Sequence, residues 1–132
     1  WKSSNTKVVK VSGNANGTCT IVAGSKKGKA TVTVTLKSGL KKNITVSVQK
    51  SAVKTKKISG IAKSLKLKKN QTATLKASVT PLTSLQKVTY TSSNKKVATV
   101  TSKGVVKAKK KGTAVITVKS GSKKVKCKVI VK

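Results

Sequence analysis

The stretch Ser92-Ser93-Asn94-Lys95-Lys96-Val97-Ala98-Thr99-Val100 restates an earlier one, Ser3-Ser4-Asn5-Thr6-Lys7-Val8-Val9-Lys10-Val11. Each copy is a Ser-Ser-Asn turn leading into apolar residues spaced as in a short strand with one buried face. The sequence around each copy runs in parallel, with small insertions near Asn14 and Gly24 that lengthen two turns of the first. Trp1 aligns with Tyr90, Gly17 with Gly104, Cys19 with Val106 and Gly28 with Gly112. Two closing stripes follow in both: Ala30, Val32, Val34 and Leu36, then Ile44, Val46 and Val48, against Ala114, Ile116 and Val118, then Val125, Cys127, Val129 and Val131. The chain is therefore a repeat protein. Its copies differ in front, since residues 58–91 precede the second turn and only Trp1 and Lys2 precede the first.

The longer copy has the strand signals of a whole domain. Ile58, Ile61, Leu65 and Leu67 suggest one or two short edge strands. Between residues 71 and 79, Ala73, Leu75, Ala77 and Val79 alternate with polar residues, predicting one half-buried strand that Pro81 ends. Residues 88–91, 97–101 and 105–108 read as further strands, with a turn at Lys103-Gly104. Several short strands punctuated by Gly, Asn and Ser, with no helical period, predict an all-β fold of tandem immunoglobulin-like β-sandwiches, the first lacking its N-terminal strands. The expected division is a partial module over residues 1–49, a basic linker over 50–57 and a complete module over 58–132.

Composition bounds what such modules can do. With 36% hydrophobic residues, no Phe or Met, and Trp1 and Tyr90 as the aromatics, the core rests on Val, Ile, Leu and Ala. All 32 basic residues are Lys, and no Asp, Glu or His offsets a formal charge of +32. Self-repulsion on that scale is screened only beyond roughly 8–10 Å, which points to polyanionic partners. Lysine without arginine disfavours sequence-specific reading of nucleic acid, because an ammonium is a point charge and not a bidentate fork. No apolar run approaches the roughly 20 residues that cross a bilayer as a helix.

The motifs Gln71-Thr72-Ala73-Thr74-Leu75, Val79-Thr80-Pro81, Tyr90-Thr91-Ser92-Ser93-Asn94, Val97-Ala98-Thr99-Val100, Lys103-Gly104-Val105-Val106 and Lys111-Gly112-Thr113-Ala114 stand in order after the opening that begins at Ile58. Together they resemble the bacterial immunoglobulin-like group 2 module over residues 58–132, and residues 1–48 resemble the second half of the same module. The resemblance implies an extracellular bacterial or phage-encoded setting, where such modules serve as stalks, adhesive tips or surface-binding appendages. Members commonly carry some acidic residues, so properties that depend on carboxylates or Ca²⁺ do not transfer to this chain.

The inventory argues against catalysis. Without Asp, Glu or His there is no carboxylate pair, no His-based triad and no hard-cation site, and no cofactor or metal is expected. Ser-Lys neighbours are too abundant to single out a pair. Cys19 and Cys127 alternate with inward residues of different modules and read as small buried hydrophobes. Asn16-Gly17-Thr18, Asn43-Ile44-Thr45 and Asn70-Gln71-Thr72 match a glycosylation acceptor pattern by chance in so Thr-rich a chain, and Asn16-Gly17 reads as a turn.

Clustered charge is the remaining candidate. Lys54, Lys56 and Lys57, then Lys66, Lys68 and Lys69, then Lys107, Lys109, Lys110 and Lys111, and finally Lys123, Lys124, Lys126 and Lys128 form expected polyanion-binding patches. Their ligands would be teichoic acid, anionic glycans or DNA, bound with steep salt dependence. The partial module is expected to expose an assembly edge at Trp1, Val8 and Val11. Three readings of its missing front stay open: a fragment edge, strands supplied by the same protein or a neighbouring chain, or residues 58–79 folding back. The expected role is a non-enzymatic stalk or filament subunit adhering to anionic polymers, with a soluble cationic binding module as the alternative.

Overall fold

The computed structural model describes residues 1–132 and divides into two units, Trp1–Ser51 and Ala52–Lys132. The first contains β1 (Lys2–Ser3), β2 (Val9–Gly13), β3 (Cys19–Ala23), β4 (Gly28–Thr35) and β5 (Lys41–Val48). The second contains β6 (Lys57–Ser59), β7 (Ser64–Leu67), β8 (Thr72–Thr74), β9 (Ser78–Thr80), β10 (Val88–Ser92), β11 (Ala98–Val100), β12 (Val105–Ala108), β13 (Gly112–Ser120) and β14 (Lys123–Val131). The fold is all-β.

The repeated turn closes one set of hydrogen bonds in both units. Asn94 Oδ1 accepts from the Lys96 amide at 3.0 Å, and the Asn94 carbonyl accepts from the amides of Val97 and Ala98. Ser93 then fastens the turn to β13 twice, donating its amide to the Val115 carbonyl and accepting the Val115 amide on its hydroxyl, both at 2.9 Å. Asn5, Lys7, Val8 and Val9 reproduce the first pattern, and Ser4 reproduces the second on Thr31 at the same 2.9 Å. Short side chains that bond to nearby backbone explain why Ser-Ser-Asn marks the turn.

In the second unit, β10, β13, β14 and β7 form one sheet, β11, β12 and β8 a second, and β6 pairs with β9. The alternation read from sequence points inward: Ile116, Val118, Cys127, Val129 and Val106 are fully buried. Burying each such Val or Ile side chain is worth about 1.5–3 kcal/mol relative to exposure. One expected element is corrected. The single strand over 71–79 is two strands, β8 on β12 and β9 on β6, because the chain changes sheets at Leu75. Leu75 is 3% exposed, its amide bonds to the Gly104 carbonyl, and its carbonyl accepts from the Tyr90 hydroxyl.

The stretch read as a basic linker is partly built into this unit. Thr55 is buried, and its hydroxyl lies 2.8 Å from Ser120 Oγ and 2.9 Å from Ser84 Oγ, while its amide donates to Gln86 Oε1 at 2.7 Å. No buried side-chain polar atom is left without a partner. A buried, bonded threonine fixes where the chain enters the sandwich.

The first unit holds the counterparts of β10 to β14 and none of β6 to β9. Ser3 opposes Val32 as Ser92 opposes Ile116, which sets Trp1 in the place of Tyr90. Its core is small: Val8, Val9, Ala30 and Val32, with Val11, Val46 and Val48 against them. Two positions show how the units differ. Ile44 opposes Val32 as Cys127 opposes Ile116, yet Ile44 is 45% exposed and Cys127 is 0% exposed. Ile21 opposes Val11 as Val106 opposes Val100, so Ile21, and not Cys19, is the counterpart of Val106. The β2–β3 hairpin runs on to a Gly13–Cys19 pair, so the insertion expected as a longer turn near Asn14 extends the paired strands instead.

Both cysteines are free; Cys127 is buried, and burial pushes its thiol pKa up, whereas Cys19 is half-buried near a hairpin end. Native protein is expected to give one promptly titrating thiol with Ellman's reagent. Cys127 should react at least roughly 10³-fold more slowly, through opening of the core. Two equally fast thiols would contradict the burial.

Candidate polyanion-binding surface

Fourteen lysines named from sequence are all exposed, and the fold separates them. The densest is one end of the second unit. Lys68 and Lys69 lie in the β7–β8 turn, where Asn70 takes φ +68° and Gln71 Oε1 accepts from the Lys68 amide at 2.7 Å. Lys109, Lys110 and Lys111 lie between β12 and β13. The two turns are tied together: the Asn70 amide donates to the Ala108 carbonyl, and the Ala108 amide donates to the Gln71 carbonyl, each at 2.9 Å.

Three lysines outside the expected patches join them. The amides of Lys109 and Lys110 both donate to the Val97 carbonyl, at 2.8 and 3.3 Å, which draws in Lys95 and Lys96 of the repeated turn. Lys132 donates its amide to the Leu67 carbonyl at 3.0 Å. Lys68, Lys69, Lys95, Lys96, Lys109, Lys110, Lys111 and Lys132 therefore crown one pole. They were illegible as a group because separate turns bring them together. The chain has no Asp or Glu to neutralise them, and each ammonium pair at close range repels by about 1 kcal/mol in water.

A second array lies on the outer face of the four-stranded sheet. Lys124, Lys126 and Lys128 alternate with buried or half-buried Val125, Cys127 and Val129. Lys119 opposes Lys124, Thr117 opposes Lys126, and Lys66 opposes Ile130 one strand further. Strands about 4.8 Å apart, with same-face residues about 6.6 Å apart along each, make this a flat lysine and threonine face. Lys119 was missed because its single-residue context carries no charge run. Lys107 sits on the other sheet, between Thr99 and Thr72.

Lys54, Lys56, Lys57 and Lys123 do not join the pole. Lys57 opposes Thr80, and Lys123 opposes Ser120 at the far end of the nine-residue strand β13, about 26 Å from Gly112. The expected assembly edge is also corrected. Val8 is 5% exposed and Val11 packs on the small core; only Trp1, 39% exposed, stands out. The open positions are instead Ile21 and Ile44, on β3 and β5, whose counterparts Val106 and Cys127 are buried on β12 and β14, the strands that pair with β8 and β7.

The model of the bacterial Ig-like domain (group 2) matches residues 52–129, the span that forms the second sandwich. The chain belongs to the bacterial Ig-like group 2 family. Within this Ig-like chain, the kinship of the first unit to the second rests on their common register and turn bonds. Among solved structures, domains 4 and 5 of the S-layer protein SbsC are similar with a TM-score of 0.56 and 25% identity, covering 98% of this chain and 74% of that one. Domains 4–9 of the same surface layer protein give 0.55 and 28%, covering 99% of this chain and 21% of that one. A kappa-carrageenase of Pseudoalteromonas carrageenovora is 59% identical over 58 residues, which are 43% of this chain and 15% of the enzyme. The Ig-like chain thus spans a small part of that curated relative. Family and neighbours point to a cell-surface or extracellular, non-catalytic domain, and no helix is long and apolar enough to cross a membrane.

Proposed function

We propose that this chain is a structural module of a bacterial surface protein, a piece of a stalk or filament, that adheres to anionic polymers through the lysine pole of its second unit. The observation that carries this reading is the convergence of the β7–β8, β10–β11 and β12–β13 turns with the end of β14, which gathers eight lysines without an Asp or Glu among them. A folded domain that tolerates such a pole gains when a polyanion replaces the condensed anions of the buffer. The S-layer neighbours support the structural half of the reading. Strand exchange at the open β3 and β5 edges would supply head-to-tail growth, since a contact that does not close a ring extends into a filament.

Binding to heparin and to inorganic polyphosphate, measured across a salt series, tests the adhesive half. Affinity is expected to fall steeply with salt. Replacing Lys68, Lys69, Lys109, Lys110 and Lys111 by Gln should flatten the log–log salt slope by roughly one for each lysine that contacts the polymer. An unchanged slope in that variant, or salt-insensitive retention of the parent, overturns the assignment. The second reading, a soluble cationic binding module, is supported by the stretch held in common with a carrageenase. A monodisperse monomer in sedimentation at physiological salt would favour it over the filament.

A further inference from the structure

Both units carry the same groove at the same place. In the second it lies between β10 and β11, about 460 Å³, lined by Tyr90, Thr91, Ser92, Lys95, Thr99 and Val100. In the first it lies between β1 and β2, about 490 Å³, lined by Trp1, Lys2, Ser3, Thr6, Lys10 and Val11. Through the pairing of Ser3 with Val32 and Ser92 with Ile116, and the turn bonds of Asn5 and Asn94, these linings correspond position by position. The groove is thus a property of the repeat and not an accident of one surface.

Its chemistry is divided between constant and exchanged positions. An aromatic ring, a valine and the turn serine recur. The ring is held in place in each unit: the Tyr90 hydroxyl donates to the Leu75 carbonyl at 3.3 Å with the ring against Gly104, and the Trp1 indole packs on Gly13. At the other three positions lysine and threonine trade places. Lys95 stands where Thr6 does, and Thr91 and Thr99 stand where Lys2 and Lys10 do. Each groove therefore keeps an aromatic wall, an aliphatic floor, hydroxyls and at least one ammonium.

We infer that these grooves bind single residues of a sulfated or carboxylated glycan. The C–H face of a sugar lies against the ring and valine, as apolar and aromatic linings do in ligand sites. The hydroxyls of Thr99 and Thr6 meet the sugar hydroxyls, the Thr91 hydroxyl being turned to the Thr117 carbonyl at 3.5 Å, and the ammonium meets the anionic substituent as a point charge that tolerates variation in its position. This inference rests on the proposed adhesion to anionic polymers and names the polymer class. The first groove shares no lysine with the pole, while the second shares Lys95 with it and adds an aromatic surface that the rest of the pole lacks.

Trp1 is the one tryptophan of the chain, so its fluorescence reports the first groove, and amide shifts of Thr91 and Thr99, which lie outside the pole, report the second. The probes are a sulfated hexasaccharide from heparin, the same hexasaccharide desulfated, inorganic polyphosphate, and oligothymidylate. The sulfated sugar is expected to move both signals, and the desulfated one to bind at least tenfold more weakly. Polyphosphate should shift the Lys68 and Lys109 turns and leave Trp1 unchanged. Lys95→Gln and Lys10→Gln, at exposed positions, should each weaken their own groove roughly three- to fivefold, while Tyr90→Phe, which keeps the ring, should bind as the parent does. Sulfated sugar that shifts only the pole overturns the grooves and leaves the proposed adhesion standing. A stronger groove response to oligothymidylate than to sugar overturns the glycan assignment. Binding of none of the four overturns both.

Discussion

Gly104→Val is expected to eliminate the cooperative unfolding transition of the second unit, read as loss of the urea-induced change in far-ultraviolet circular dichroism. Gly104 is buried with φ +81°, and an added Cβ would stand 2.5 Å from the Leu75 carbonyl oxygen and 2.9 Å from Tyr90 Cζ. The left-handed conformation alone costs a side-chain-bearing residue about 1–2 kcal/mol. The clash adds to it, because the same Leu75 backbone bonds to Gly104 and to Tyr90 at the point where the chain changes sheets. A total of about 4 kcal/mol or more is a large part of the roughly 5–15 kcal/mol that holds a domain together. Gly39→Ala separates the two causes, since Gly39 has φ +85° and nothing within 4 Å of its added Cβ. It should cost its own unit only about 1 kcal/mol. A Gly104→Val protein with parental urea midpoint would refute the packing described for Leu75 and Tyr90.

The second large effect concerns the open strands of the first unit. A copy of residues 52–89 spliced ahead of Trp1, where Tyr90 follows Thr89 in the second unit, is expected to slow hydrogen exchange of the β3 and β5 amides by at least roughly 100-fold. The added residues contain the strands that cover β12 and β14. Thr72, Ala73 and Thr74 pair with β12, and residues 64–67 pair in parallel with β14. Equivalent pairing would bury Ile21 and Ile44, each contributing about 1–2 kcal/mol, and would enlarge a core that now rests on four buried residues. Unchanged exchange at Ile21 and Ile44 would show that the first unit does not accept strands of this type. It would also count against filament growth by strand exchange.

Much of the fold was legible because the repeat supplied its own check. Two copies of Ser-Ser-Asn with matching downstream stripes cannot both be accidental, and the period-two alternation of Val125, Cys127, Val129 and Val131 with lysines is the mark of one buried face. The errors fell where local pattern is silent. Residues 71–79 alternate as one strand would, yet strand β8 and strand β9 pair with different sheets; alternation reports which side faces a core, not which sheet supplies the neighbour. The alignment of Cys19 with Val106 failed because a hairpin can lengthen by paired residues without breaking its alternation. Val8 is no exposed edge, because β4 and the turn bury its side chain against Ala30 and Val32.

The candidate site was legible only in part. Charge runs identified Lys68, Lys69, Lys109, Lys110 and Lys111, but Lys95, Lys96 and Lys132 joined them through backbone bonds between turns. Lys119 became part of the sheet face through its pairing with Lys124. By itself the sequence determined the repeat, the all-β class, the inward stripes and the excess of positive charge, because these follow from periodicity and composition. Only the tertiary structure decided which lysines share a pole and that Tyr90 and Trp1 line equivalent grooves. Those depend on strand order and register, which are set by contacts between residues far apart in the chain.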